Sequence, residues 1–210
     1  RLGAVFVPLQ TSSTAAQLAP IVAETAPRVL AVSVESLGTA VDVVLEAPSV
    51  QRLVVFDYTS DDEGQRDHYH RARRRLPDAG HPAEVVALSA ELETGRQLPL
   101  PAPFVPGDGE NPLVTLIYTS GSTGTPKGAM YTADMMTRIW QRPHSPSVDI
   151  GRVIPAIHLQ YMPLSHVYGL EWLIATLSSG GIGYFAAKSD MSTLFEDIAL
   201  VRPDRKSTRL

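Results

Sequence analysis

Tyr118-Thr-Ser-Gly-Ser-Thr-Gly-Thr-Pro-Lys-Gly128 is the stretch of this chain best equipped for chemistry. Four hydroxyl side chains (Thr119, Ser120, Ser122 and Thr123) and two glycines (Gly121 and Gly124) precede a single lysine, Lys127. Glycines let backbone N–H groups approach an anion closely, hydroxyls add donors to its oxygens, and the ammonium supplies a full positive charge. Together they suit a polyphosphate. The order differs from the G-x-x-x-x-G-K-[ST] loop, because Pro126 precedes the lysine and Gly128 follows it. Apolar runs on both sides predict a loop between two strands, without a helix N-terminus to assist. A flexible hairpin loop is the plain alternative, and the particular order of the eleven residues favours the anion site.

A second stretch, Ser165-His166-Val167-Tyr168-Gly169, places an imidazole at the predicted start of a helix. Such a ring can donate to a developing negative oxygen, or it can simply cap the helix. Ser165 and His166 do not read as nucleophile and base, since neighbours on a turn seldom face each other. The G-x-S-x-G element of hydrolases is absent as well. Tyr168 and Gly169, with Gly181 and Gly183, suit a substrate wall or plain packing equally. His158 reads as a strand residue and His144 as a loop residue. His68, His70 and His81 lie in or beside an acidic and arginine-rich stretch, 57–82, whose spacing fits a metal only loosely. Positive and negative charges balance there, which favours a salt-laced, solvated helix or loop over an anion patch. No metal site is expected.

The elements that must position these groups alternate. An apolar run at 4–7 predicts a strand, and Ser12, Ser13 and Thr14 offer N-caps to a helix carrying Leu18, Ile21 and Val22. Strands at 29–34 and 53–56 flank a helix bearing Leu37, Ala40, Val41 and Val44 at i, i+3, i+4 and i+7. This β-α-β-α-β order with apolar strands predicts an α/β fold with mostly parallel sheets layered with helices. Five prolines (99, 101, 103, 106 and 112) with Gly107 and Gly109 predict an extended connector at 99–112. Beyond it, strands are expected at 113–118 and 128–131, a helix at 133–140, and a less ordered stretch at 142–155. A strand at 158–162, a helix at 167–177, a strand at 182–186 and a helix from about 190 to 202 complete the pattern.

Composition narrows the classes. Hydrophobic residues make up 44% and charged residues 19%, enough to bury a core and too apolar for disorder. The net charge of −4 gives no general attraction for nucleic acid. With no cysteine, disulfides and thiolate chemistry are excluded. No apolar run reaches the ~18 residues a membrane span needs, and a cytoplasmic protein is expected.

The loop at 118–128 resembles the phosphate-loop signature of the adenylate-forming superfamily, which activates carboxylates with ATP to give an acyl-adenylate and pyrophosphate. Leu2-Gly-Ala-Val-Phe-Val-Pro-Leu9 is similar to its upstream G-A-x-x-V-P-L element, and Tyr161-Met-Pro-Leu-Ser-His-Val-Tyr-Gly169 to its downstream P-x-x-H element. The stretches Gly128-Ala-Met-Tyr-Thr132, Ser165-His166-Val167 and Tyr184 through Asp197 look like actinobacterial carboxylic acid reductases. The resemblance implies that Thr119, Ser120, Gly121, Ser122, Thr123, Gly124 and Lys127 hold the ATP phosphates. It places catalytic His166 where the acyl carboxylate meets the α-phosphate, with Tyr168 and Gly169 at the acyl pocket. It also implies that the acyl group passes to a carrier domain in cis bearing phosphopantetheine, and that NADPH then reduces it to an aldehyde.

An acyl-CoA ligase of the same superfamily, or a truncated inactive fragment, are the alternatives. The resemblance runs over residues 1–203 as the N-terminal part of the large adenylation domain, incomplete at both ends. The adenine-stacking segment, the Mg-binding carboxylate, the ribose-binding Asp and the lid lysine are then expected outside this sequence. Residues 204–210, Asp-Arg-Lys-Ser-Thr-Arg-Leu, depart from the family pattern and are expected to be foreign to it.

Overall fold

The computed structural model describes residues 2–120, 126–141, 148–149, 152–153, 157–188 and 190–203. The chain forms two compact units, one of residues 11–102 and one of residues 1–10 with 103–210. The boundary at 102/103 falls inside the proline-rich stretch.

The unit of residues 11–102 is a parallel α/β layer. Helix α1 (Ala15–Thr25) opens at Thr14, whose backbone N–H donates to Gln17 Oε1 at 2.9 Å. Strand β1 (Val29–Ser33), α2 (Leu37–Leu45), β2 (Arg52–Phe56), α3 (Glu63–Asp78), β3 (Glu84–Ala87) and α4 (Leu88–Arg96) follow. The three strands pair in parallel in the order β1-β2-β3, with Leu30 beside Leu53 and Leu53 beside Val85. Apolar residues on both faces of β2 demand cover from helices, and Leu53, Val54 and Val55 are all buried. Helix α2 supplies Leu37, Val41 and Val44 to the core, and α3 supplies Leu76.

The charged stretch at 57–82 forms α3, capped by Asp62 Oδ1 accepting from the Gln65 N–H at 2.9 Å. Arg75 pairs with Asp42 at 2.7 Å. Only its outer side matches the expected solvated face, because Tyr69, Ala72 and Leu76 turn inward. Residues 83–98 carried no expected element, yet they hold β3 and α4. In β3, Val85 and Ala87 are buried while Glu84 is exposed, a four-residue alternation too short to stand out in sequence.

The other unit holds β4 (Leu113–Ser120) and β5 (Pro126–Thr132), an antiparallel pair, followed by α5 (Ala133–Gln141). A two-residue antiparallel pair, β6 (Val148–Asp149) with β7 (Arg152–Val153), falls in the stretch expected to be less ordered. The rest of 142–155, with His144, lies outside the described residues. Strand β8 (Ile157–Gln160) pairs in parallel with β9 (Ile182–Phe185) across helix α6 (Val167–Ser178), and α7 (Leu194–Val201) closes the order.

Three expectations change here. The strand expected at 4–7 contracts to one parallel bridge, in which Phe6 N–H donates to the Val114 carbonyl at 2.9 Å and the Phe6 carbonyl accepts from Leu116 N–H at 3.0 Å. Pro8 has no N–H with which to lengthen that ladder. Gly3, at a φ of 69°, lies beneath the Phe104 ring, which a Cβ there would meet at 2.8 Å. Strand β8 stops at Gln160, two residues early, because its side chain ties the following turn. The last helix starts at Leu194 instead of near 190. Asp190 Oδ1 accepts from the Ser192 N–H at 2.9 Å and Met191 has a φ of 60°, so the chain turns before it coils. Residues 204–210 lie outside the described residues. Among the described residues, no helix is long and apolar enough to cross a membrane.

Leu53 is fully buried and Leu100 is 96% exposed. Leu53→Ala should therefore lower stability by about 2–5 kcal/mol in urea denaturation, while Leu100→Ala should change it by less than about 0.5 kcal/mol.

Candidate functional site

The hairpin β4–β5 sets the first part of the site. Its register places Thr119 opposite Lys127 and Ser120 opposite Pro126, so strands flank the 121–125 segment on both sides, as expected from the apolar runs. Directly opposed residues of an antiparallel pair share a face, with Cβ atoms about 5 Å apart. Thr119 and Lys127 therefore stand side by side at the loop end of the hairpin, both exposed. Lys127 has no ion-pair partner among the described residues. Gly121, Ser122, Thr123 and Gly124 lie outside the described residues, as does the Ser120 side chain.

One register position back, Tyr118 faces Gly128. A Cβ at 128 would lie 3.0 Å from the Tyr118 ring, so the ring covers the glycine and a larger residue would have to push it away. The buried Thr115 hydroxyl donates to the Phe6 carbonyl at 2.6 Å. Strand β4 is thus held on one edge by β5 and on the other by the segment around Phe6.

The second part is the turn from Tyr161 to His166. His166 is exposed, sits at the N-cap of α6, and accepts the Tyr168 N–H on Nδ1 at 3.1 Å. An accepting Nδ1 leaves the proton of the neutral ring on Nε2. Capping and chemistry, offered by the sequence as alternatives, are compatible here. The cap uses one nitrogen and leaves the other as an N–H donor with no partner among the described residues. Among the described residues no hydrogen bond joins Ser165 to the His166 ring.

Around that turn the contacts are close. His166 N–H donates to the Pro163 carbonyl at 3.1 Å. Gly169 is buried in the first turn of α6, where a Cβ would lie 2.3 Å from the Pro163 carbonyl oxygen and 2.9 Å from that of Met162. For Gly169 this is the packing role. Tyr168 is 47% exposed and meets Trp172 edge-on at 6.3 Å, which leaves it available to a substrate.

Two buried side chains, Gln160 and His158, with the half-buried Trp172, support the turn although the motifs do not single them out. Gln160, at the end of β8, donates through Nε2 to the Met162 carbonyl at 2.6 Å and the Gly169 carbonyl at 3.2 Å. Its Oε1 lies 3.2 Å from Nε2 of His158, which stacks on Trp172 at 5.5 Å. With both amide hydrogens facing carbonyls, Oε1 must accept and His158 Nε2 must donate. A polar His-x-Gln alternation inside a short apolar strand was the available sequence signal. Burial holds the His158 imidazole below its ordinary value of 6.5, against the Gln160 hydrogen bond.

The hairpin and the His166 turn belong to one unit and share a neighbour. Helix α5 packs on β4 and β5 and also on α6. Its start is fixed by the Asp134 N–H donating to Asn111 Oδ1 at 3.0 Å. Among the described residues no group of three or more His, Asp or Glu side chains could hold a metal ion.

The family model for AMP-binding enzymes matches residues 1–204. The chain is 47% identical over 203 residues to the carboxylic acid reductase of Mycobacterium tuberculosis, covering 97% of this chain and 17% of that protein. The crystal structure of the adenylation domain of a carboxylate reductase from Mycobacterium chelonae superposes with a TM-score of 0.85 at 46% identity, over 97% of this chain and 31% of that one. An A-PCP didomain of the carboxylic acid reductase from Segniliparus rugosus, in complex with AMP, gives a TM-score of 0.82 at 46% identity, over 93% and 27%. The chain therefore spans under a fifth of the curated relative's length and under a third of either solved chain.

Two outcomes follow from the packing around the turn. Gly169→Ala should lower the stability of this unit by several kcal/mol in urea denaturation, because backbone occupies the space a methyl needs. The unfolded chain takes up a proton on His158 near pH 6.5, and the fold does so only at lower pH. Stability is then full above about pH 6.5 and falls as the pH drops below it. His158→Phe should remove that part of the slope between urea midpoints at about pH 7.5 and about pH 5.5.

Proposed function

The chain belongs to the AMP-binding enzyme family, and from that premise we propose that it supplies part of the adenylating site of a carboxylic acid reductase. The observation that carries the proposal is an exposed Lys127, without an ion-pair partner among the described residues, set beside Thr119 at the loop end of a hairpin, in a chain 47% identical over 97% of its length to such a reductase. The reaction joins a carboxylate oxygen to the α-phosphorus of ATP and breaks the bond from that phosphorus to the bridging oxygen. Pyrophosphate leaves, and the acyl-adenylate is a mixed anhydride.

Positioning and charge neutralisation supply most of the rate enhancement in such a displacement. Lys127 and Thr119, with Ser120, Gly121, Ser122, Thr123 and Gly124, hold the β- and γ-phosphates and take up the negative charge that grows as pyrophosphate departs. His166 donates its Nε2–H to a non-bridging oxygen of the α-phosphate, where the acyl carboxylate meets it, and the Nδ1 cap keeps that proton on Nε2. Tyr168 borders the acyl group. Thr119 and Lys127 suit phosphate oxygens by their chemistry; the described residues include no carboxylate cluster for Mg, whose ligand we assign to sequence outside this chain.

In the whole protein the acyl group then passes to a phosphopantetheine thiol on a carrier domain in cis and is reduced to an aldehyde by NADPH, in the cytoplasm. We assign residues 1–203 to the adenylation domain, with 99–112 as its connector, and 204–210 as foreign to it.

Acid-dependent exchange of labelled pyrophosphate into ATP tests the proposal in the intact protein. Lys127→Ala and His166→Ala should each lower kcat/KM by about 10²–10³. The isolated 210-residue chain should show no exchange, and detectable exchange by it would overturn the assignment of other site groups to sequence outside it. Formation of aldehyde with NADPH supports the reductase; release of acyl-CoA in its place would assign the chain to a ligase.

A further inference from the structure

We propose that Gln160 is a positioning residue for the adenylating site: its amide ties the two ends of the turn that carries His166 and thereby aims the Nε2–H of that ring. The proposal rests on the role given to His166 above. Gln160 is 3% exposed and its hydrogen bonds go to His158, Met162 and Gly169, so it acts through the turn.

Its two amide hydrogens go to carbonyls on opposite sides of His166, four residues before it at Met162 and three after it at Gly169. One planar group therefore fixes the distance between the entry to the turn and the first turn of α6. The amide is itself oriented. A flipped amide would set its oxygen against two carbonyl oxygens and its nitrogen against the His158 N–H. His158 is in turn held by its stack on Trp172, a residue of α6. The chain of contacts runs from β8 through Gln160 to both ends of the turn, and through His158 back to the same helix.

The remaining contacts leave the turn little freedom. The Pro163 carbonyl accepts from the His166 N–H at 3.1 Å, and Gly169 lies against the carbonyls of Met162 and Pro163. With the backbone so fixed, the Tyr168 N–H reaches Nδ1 of His166 at 3.1 Å and settles which ring nitrogen carries the proton. An aliphatic side chain at 160 could fill the same space. It would lose both hydrogen bonds to the turn and free the turn to drift, and a displacement of about 1 Å at a reacting group can cost about 10²-fold in rate.

The test uses the intact protein with Gln160→Met, which keeps length but no donors, and Gln160→Asn, which keeps an amide one methylene short of spanning both carbonyls. Histidine-selective 15N NMR reads the His166 ring directly. The wild type should show a single Nε2–H tautomer, and both variants a mixture. Pyrophosphate exchange should show kcat reduced by about tenfold to a hundredfold, with KM for ATP within about twofold.

A folded variant with an unchanged His166 tautomer and unchanged kcat overturns the proposal, as does a rise in KM with kcat intact. If the wild type shows no acid-dependent exchange, the reaction assigned to the chain fails, and the tautomer comparison still decides whether Gln160 orients His166. Should Gln160→Met fail to fold, Gln160→Asn carries the same two readouts.

Discussion

The antiparallel register of β4 and β5 is the constraint from which the rest of the site-bearing unit follows. Strand alternation makes a register shift of one residue turn every side chain to the opposite face. Here Tyr118 lies over Gly128 and thereby sets Thr119 beside Lys127. A cation needed at the strand ends would otherwise project away from the hydroxyl that accompanies it. The outer edge of β4 is occupied by the Phe6 bridge, and the buried Thr115 hydroxyl closes on the same carbonyl. Strand β4 is therefore held on both edges before any ligand arrives.

The turn at His166 uses a different device for the same end. Strand β8 contributes a polar amide where an apolar residue would satisfy packing alone, and α6 contributes a glycine where any methyl would strike backbone. Buried polar groups cost free energy unless fully paired, and Gln160 is paired at both amide hydrogens and at its oxygen. Capping uses Nδ1 of His166 and leaves Nε2 for the role proposed for it, so the same ring can serve the helix and that role. Helix α5, packed on the hairpin and on α6, joins the two parts.

Much of this was legible in the sequence because the signals were local. The helix carrying Leu37, Val41 and Val44, the strands at 29–34 and 53–56, and the strand–loop–strand around residues 118–128 all follow from periodicity and glycine content. The parallel pairing followed from strands apolar on both faces. Illegible parts depended on partners distant in sequence or on very short runs. Strand β3 has four residues, and its burial is decided by β2 beside it. The 4–7 run looked like a full strand, but its pairing is limited by Pro8 and by the turn at Gly3. Helix α3 hid three inward residues within a charged stretch. Gln160 by itself carries no signal in sequence, because a lone glutamine in a strand means nothing until Met162 and Gly169 converge on it.

The central claim is that the loop end of the hairpin and the ring of His166 together grip the triphosphate as it is cleaved. A crystal structure of the intact protein with ATP tests this most directly. The account predicts the β- and γ-phosphates against residues 119–127, with Lys127 Nζ in ion-pair contact, and His166 Nε2 within hydrogen-bond distance of an α-phosphate oxygen. Phosphates seated elsewhere, for instance on the arginines of α3, with Lys127 and His166 facing solvent, would contradict it.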